Sequence, residues 1–205
     1  MNTDPEPDGT DLRREYDASN ALDEVPLPPP AKLQALFQAL AGAVKEEDAA
    51  KLERACTELL AELSGGSGIR PPTLELLGAR PHSTAEGHLA AELFGDYHIK
   101  RERMRLWTRT AMKGKWTSSK TLLSTLGHEF MHHLDIVRLG FPHSFHTIGF
   151  FARTHRLYLT AIGHPYYPLA WRRLDRYPLG AGSWVIDWPA TNRQKLKRLG
   201  RARPL

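Results

Sequence analysis

Residues 125–151 read TLGHEFMHHLDIVRLGFPHSFHTIGFF and contain the pattern His-Glu-x-x-His. His128 and His132 are four residues apart, so on a helix their rings stand one turn apart on the same face. Two imidazoles in that position can hold one zinc ion at about 2.0–2.1 Å each. Glu129 follows the first histidine and is placed to take a proton from a metal-activated water, which would then attack a carbonyl. The stretch therefore predicts a hydrolytic zinc site on a helix.

The surrounding residues predict two successive helices. The first covers 117–139, opens with a Thr/Ser cap and ends before Gly140. Ser144 is expected to cap the second helix, which would run to about Ile162.

A catalytic zinc site needs a third protein ligand and an open fourth position. No glutamate follows Glu129, which excludes a site with a downstream glutamate ligand. The extended metzincin spacing would require a histidine where Arg138 stands. The candidates that remain are His133, His143, His146, His155 and His164, with Asp175 and Asp187 as weaker carboxylates.

Helical geometry ranks these candidates. His133 is rotated by about 100° from the face of the zinc pair. His146 would lie in the first turn of the second helix, and His155 would lie on the opposite face of that helix. His146 is therefore the first choice, and His143 in the preceding loop is the second.

The two histidine segments resemble the SprT-like zinc metallopeptidases, the family that includes Spartan. That family carries His-Glu-x-x-His, a spacer of a dozen or so residues, and His-Gly-x-x-Phe. The matching residues are His128, Glu129, His132, His146 and Phe150. Thr147 stands where the family has glycine, and the resemblance covers about residues 98–160.

The resemblance implies an α+β, zincin-like minimal metallopeptidase domain with helices packed on a small sheet. It implies Zn²⁺ held by His128, His132 and His146, with Glu129 as general base. The implied function is a zinc-dependent endopeptidase acting on a protein or peptide substrate. The strand expected at 103–110 would line the cleft and pair along its edge with an extended substrate.

Composition divides the chain into four segments. Residues 1–30 are expected to be a disordered acidic tail and 31–64 a helical hairpin. Residues 65–162 would form the SprT-type catalytic domain, with a short strand at its start, and 163–205 a basic extension rich in Trp and Pro.

Charge adds an alternative function. Residues 1–65 hold 14 acidic and 6 basic side chains, whereas residues 66–205 hold 9 acidic and 22 basic ones. Trp171, Trp184 and Trp188 lie near arginines, which suits single-stranded nucleic acid, but tryptophans of this kind more often pin a tail to its domain. The alternative is a nucleic-acid-associated protein in which DNA recruits or switches on the peptidase, or in which the zinc is only structural.

Cysteine content and hydropathy bear on the compartment. Cys56 is the only cysteine, so the chain can form neither an internal disulfide nor the zinc ribbon that many SprT-like proteins carry. No apolar run approaches the roughly 20 residues that span a bilayer, and the N-terminus has no apolar signal core. These features favour a cytoplasmic protein without membrane contact.

Overall fold

The computed structural model describes residues 2–85, 88–174 and 182–201, which form a mixed α+β fold. Asp175, one of the carboxylate candidates, lies outside the described residues. The helices are α1 (Thr10–Ala21), α2 (Pro30–Lys45), α3 (Ala49–Ser67), α4 (Ser119–Leu134), α5 (Ile148–Ala161) and α6 (Trp188–Arg201). The strands are β1 (Thr73–Ala79), β2 (His82–Ala85), β3 (His88–Glu92), β4 (Gly95–His98), β5 (Arg103–Arg109), β6 (Trp171–Arg173) and β7 (Trp184–Ile186). None of the helices in the described ranges is both long and apolar enough to span a membrane.

The chain divides into two compact units. The central unit is Pro26–Gly140, and the terminal unit joins Met1–Val25 to Phe141–Leu205. These boundaries differ from the four segments expected from composition, because the acidic N-terminal segment and the segment after α4 belong to one unit.

Helices α2 and α3 of the central unit cover the two helices expected in 31–64. Leu33 and Leu40 of α2 and Leu52 and Leu59 of α3 are fully buried, as their helical spacing predicts. The Asp48 side chain caps α3 by accepting a hydrogen bond from the Lys51 N–H at 2.9 Å.

The central unit also contains a three-stranded sheet in the order β1-β5-β4. Strand β1 runs parallel to β5, and β4 runs antiparallel to it. Met104 and Leu106 of β5 are fully buried, and α4 packs against β4 and β5. A Cβ on Gly95 of β4 would lie 2.5 Å from Cγ2 of Thr125 in α4, so only glycine allows this close approach.

The expectation that residues 103–110 form a free substrate-binding edge is wrong. Both sides of β5 are already occupied by β1 and β4. The strand ends are also paired, because the Thr108 carbonyl accepts from the Thr117 N–H and the Arg109 carbonyl accepts from the Arg80 N–H. The backbone of β5 therefore cannot pair with a further chain; the edges of this sheet are β1 and β4.

Helix α4 and the π-helical turn that follows it together cover most of the helix predicted over 117–139. Ser118 caps its first turn by accepting from the Thr121 N–H at 3.1 Å. After Leu134 the chain continues through one π-helical turn, Asp135–Leu139, and Gly140 ends it with a positive φ of 75°.

The terminal unit corrects the expectation that residues 1–30 are disordered. Helix α1 forms within them and packs on α5, with Tyr16 and Ser19 buried. The reason lies far along the chain: the fully buried Arg153 of α5 donates to the carbonyl oxygens of Ser19 and Leu22 at the end of α1. A cation at these carbonyls stabilises the C-terminus of the helix.

Helix α5 begins later than expected. Thr147, not Ser144, is its N-cap, and its Oγ1 accepts from the Phe150 N–H at 3.0 Å. Ser144 instead adopts a positive φ of 43° in the loop before it. His146 therefore precedes the helix and does not lie in its first turn.

Residues beyond α5 form the β6–β7 hairpin and α6. Trp171 contacts the Phe151 ring of α5, with centroids 5.6 Å apart. Trp184 exchanges two hydrogen bonds with Thr3 near the N-terminus. These contacts hold β6 to α5 and β7 to the N-terminal segment within the terminal unit.

The contact between α1 and α5 yields a stability prediction. A Cβ on Gly149 of α5 would lie 2.2 Å from the Ser19 carbonyl oxygen, whereas Gly42 of α2 has open space around that position. Gly149→Ala should therefore lower the free energy of unfolding by roughly 1–3 kcal/mol through overpacking. Gly42→Ala should raise it by up to about 1 kcal/mol through helix propensity. Urea unfolding monitored by circular dichroism measures both, and equal stabilities of the two variants would contradict this packing.

Candidate metal centre

Two histidine rings on α4 point their outer nitrogens at each other. Nε2 of His128 and Nε2 of His132 are 3.2 Å apart, and the rings meet edge to face. Two bare lone pairs would repel at that distance, and a proton or a cation between the two nitrogens would remove this repulsion. Two nitrogens bound tetrahedrally at about 2.0–2.1 Å from zinc would be about 3.3 Å apart. The 3.2 Å separation is therefore compatible with both nitrogens binding one metal ion.

His146 joins this pair. One ring nitrogen from each of His128, His132 and His146 lies within 4.8 Å of the other two, and all three residues are partly buried. The three histidines are therefore close enough to bind a metal ion. Three imidazoles with no carboxylate among them suit zinc and other transition metals rather than magnesium or calcium.

A tight loop sets the position of His146. The Ser144 N–H donates to the Phe141 carbonyl at 3.0 Å, and the Thr147 N–H donates to the Phe145 carbonyl at 2.8 Å. Successive turns of this kind fix the backbone on both sides of His146.

Aromatic rings and the α5 cap support the same residue. The His146 ring stacks on Phe151 with centroids 5.7 Å apart and meets Phe150 edge to face at 5.1 Å. Thr147, which stands where the resembled family has glycine, caps α5, and its hydroxyl also bonds that of Ser19 at 3.1 Å. The Thr147 hydroxyl therefore makes two hydrogen bonds that a glycine at this position could not make.

The N-terminal segment contacts His146 at three points. The His146 N–H donates to Oδ2 of Asp4 at 2.9 Å, and the Asp4 N–H donates to the His146 carbonyl at 3.0 Å. The same Oδ2 lies 3.4 Å from Nδ1 of the His146 ring. Sequence reasoning missed Asp4, because no local pattern links a residue to one 142 positions away in an acidic segment expected to be disordered.

Glu129 is a buried carboxyl group on the motif helix. Burial, together with a smaller contribution from the nearby charge of Asp96, raises its pKa to about 8. Asp96 is itself paired with Arg105 of β5. A carboxyl group held in an apolar surrounding suits proton transfer near neutral pH, and a cation close by would favour its charged form.

His133 does not face the cluster, as predicted from its rotation. Its ring is fully buried, Nε2 lies 2.8 Å from the Arg70 carbonyl, and Nδ1 lies 2.8 Å from the Tyr97 hydroxyl. With Nε2–H donating to the carbonyl and Nδ1 accepting from the hydroxyl, both nitrogens are used. Burial lowers the pKa of His133, which keeps the ring neutral. His133 thus ties α4 to β4 and to the segment after α3.

The other histidine and carboxylate candidates also lie elsewhere. His143, the second choice, bonds Glu15 through both its backbone N–H and Nδ1. The ring of His155 packs edge to face on Tyr167. Asp187 caps the start of α6 by accepting from the Ala190 N–H. His164 is not part of the cluster among the described residues.

Comparison of the chain with family models, with curated proteins and with solved structures gives no significant match. The chemistry of the site therefore rests on its own geometry.

The three-histidine geometry predicts how the purified protein binds metal. It should bind one Zn²⁺ or Co²⁺ per chain after dialysis, as measured by inductively coupled plasma mass spectrometry. His146→Ala should lower the affinity for the metal ion at least tenfold, because only two of the three imidazole ligands remain. His143→Ala is the matched control and should keep full metal content, since its ring bonds Glu15. Equal metal loss in the two variants would contradict the assigned ligand set.

Proposed function

We propose that the protein is a cytoplasmic, zinc-dependent endopeptidase of the SprT-like type with a zincin-like catalytic fold. The observation that carries this proposal is the group of three histidine nitrogens within 4.8 Å of one another. A buried carboxyl group, Glu129, directly follows the first ligand on the same helix. The lone cysteine, Cys56, is buried and unpaired, which fits a reducing compartment.

The roles of the chain's own groups follow from their chemistry. His128, His132 and His146 would hold the ion as neutral imidazoles and leave a fourth position open. Zinc in such a site supplies Lewis acidity, which polarises a peptide carbonyl and makes water nucleophilic near neutral pH. Glu129 would accept the proton of the attacking water on its carboxylate and deliver it to the nitrogen of the departing amine.

The sheet restricts where a substrate backbone can pair. Because β5 is bonded on both sides, the strands of the three-stranded sheet at which an extended peptide could add are β1 and β4. Strand β4 is the edge strand that packs against α4, and Tyr97 of β4 bonds His133 of that helix. We propose β4 as the strand that aligns the peptide substrate.

A glutamate substitution separates catalysis from metal binding. Glu129→Gln removes the proton acceptor but keeps the size of the side chain, so zinc content should stay at one per chain while cleavage of a fluorescently labelled unfolded protein falls at least 100-fold. Glu53→Gln makes the same change at an exposed position on α3 and should leave cleavage intact. Full proteolysis by the Glu129→Gln protein would exclude the proposed mechanism.

A second candidate function is contact with nucleic acid, favoured by the surface of α6. Arg193, Lys197 and Arg198 are exposed on this helix, and residues 188–201 contain no acidic side chain. Trp188, at the start of the helix, is 53% exposed and available for base stacking. The occupant would be single-stranded nucleic acid that recruits or switches on the peptidase.

Salt dependence tests this second candidate. The double variant Arg193→Gln/Lys197→Gln should weaken binding of a single-stranded oligonucleotide and lower the slope of log affinity against log salt by up to about 1.4. The double variant Lys32→Gln/Lys51→Gln makes the same charge change on the α2–α3 hairpin and should leave the slope unchanged. Filter binding across a salt series measures both. Identical slopes for the two double variants would rule out α6 as the contact surface.

A further inference from the structure

We propose that Asp4 is a positioning residue of the metal centre: it orients the His146 ring and fixes which ring nitrogen is free to bind the ion. The inference rests on the proposed zinc site and extends it to the N-terminus of the chain. It gives the acidic N-terminal segment a chemical task that neither its composition nor its charge suggests.

Three contacts place the Asp4 carboxylate and backbone on His146. Oδ2 accepts from the His146 N–H at 2.9 Å and lies 3.4 Å from Nδ1 of the ring. The Asp4 N–H returns a bond to the His146 carbonyl at 3.0 Å. The backbone bonds in both directions fix the two residues side by side, so the carboxylate cannot swing away from the ring without breaking them.

Asp4 is itself held in place on either side. Thr3 is 1% exposed, and its N–H donates to the Trp184 carbonyl at 2.8 Å. The Trp184 N–H donates to Oγ1 of Thr3 at 2.8 Å. On the other side, the Tyr16 hydroxyl donates to the Asp4 carbonyl at 3.1 Å. The segment is therefore anchored to β7 and to α1, as a positioning group must be.

The ring chemistry explains why this contact would matter to a metal. A neutral imidazole carries one proton, and the nitrogen without it is the one that can ligate. A carboxylate beside Nδ1 favours the tautomer with the proton on Nδ1, which leaves the lone pair on Nε2. Such carboxylate–histidine pairs fix the ring and raise the basicity of the ligating nitrogen, and their loss typically costs about 10- to 100-fold in metal affinity.

Metal affinity and histidine tautomer together distinguish positioning from a purely structural contact. Zn²⁺ affinity is measured by competition with a chromophoric chelator for the full chain, Asp4→Asn, Asp4→Ala and Asp8→Asn. Asp4→Asn keeps an oxygen that can accept from the His146 N–H but removes the charge, so it should weaken zinc binding about tenfold with little change in the melting temperature of the metal-free protein. Asp4→Ala removes both contacts of the Asp4 side chain with His146 and should weaken zinc binding further. Asp8→Asn makes the same chemical change at an exposed position four residues on and should bind zinc like the unmodified chain.

Long-range ¹H–¹⁵N NMR of the metal-free protein supplies a readout that needs no metal. In the unmodified chain and in Asp8→Asn, His146 should carry its proton on Nδ1, and in Asp4→Asn the two tautomers should be mixed. The proposal would be overturned if Asp4→Asn left both the zinc affinity and the His146 tautomer unchanged. It would also be overturned if Asp4→Asn and Asp8→Asn lowered the zinc affinity by the same factor. If the unmodified chain bound no zinc, the proposed function would fail, and a tautomer that still depended on Asp4 would uphold the positioning contact on its own.

Discussion

Three imidazole nitrogens within 4.8 Å of one another place a demand on the chain around them, because unprotonated nitrogens repel at that range unless they share a cation. Each ring must be held by contacts that do not depend on the ion. His128 and His132 lie on one face of α4. The next residue, His133, fixes the helix because both of its ring nitrogens are hydrogen-bonded. In the loop before α5, His146 is held by turns, by the rings of Phe150 and Phe151, and by Asp4.

The packing of α4 follows from the same demand. The helix lies close to β4 because Gly95 has no Cβ to meet Thr125, and Tyr97, two residues on, reaches His133. This hydrogen bond joins the buried His133 to the half-buried Tyr97 and satisfies both groups, so it specifies one rotation of the helix at little cost. The rotation of α4 sets the direction in which the face with His128 and His132 points, and it buries Glu129.

Local patterns were sufficient to predict helices α2 to α5 and much of the candidate site. The spacing of His128 and His132 and the Ser118 cap depend on residues near one another in sequence, and the structure shows both. The choice of His146 over His143 depended on helical geometry that was only partly right, since His146 precedes α5. The loop nevertheless places it with the other two histidines, while His143 turns to Glu15.

Long-range contacts explain what the sequence patterns missed. Helix α1 forms because Arg153 satisfies its last carbonyls, and Asp4 is ordered because Trp184 and Tyr16 bond the segment that carries it. None of these partners lies within 10 residues of its counterpart in sequence. Patterns of hydropathy over a short stretch of sequence carry no information about contacts at such separations. The central position of β5 was missed for a similar reason: an alternating strand looks the same at an edge and in the middle of a sheet, until its partners are known.

We propose that one zinc ion is held by three specific imidazoles. Crystals of the zinc-loaded protein, with anomalous diffraction recorded on both sides of the zinc absorption edge, locate the ion directly. We expect a single strong anomalous peak about 2.0–2.1 Å from one ring nitrogen each of His128, His132 and His146. A peak on His143 and Glu15, or on surface carboxylates with the three-histidine cluster empty, would contradict it.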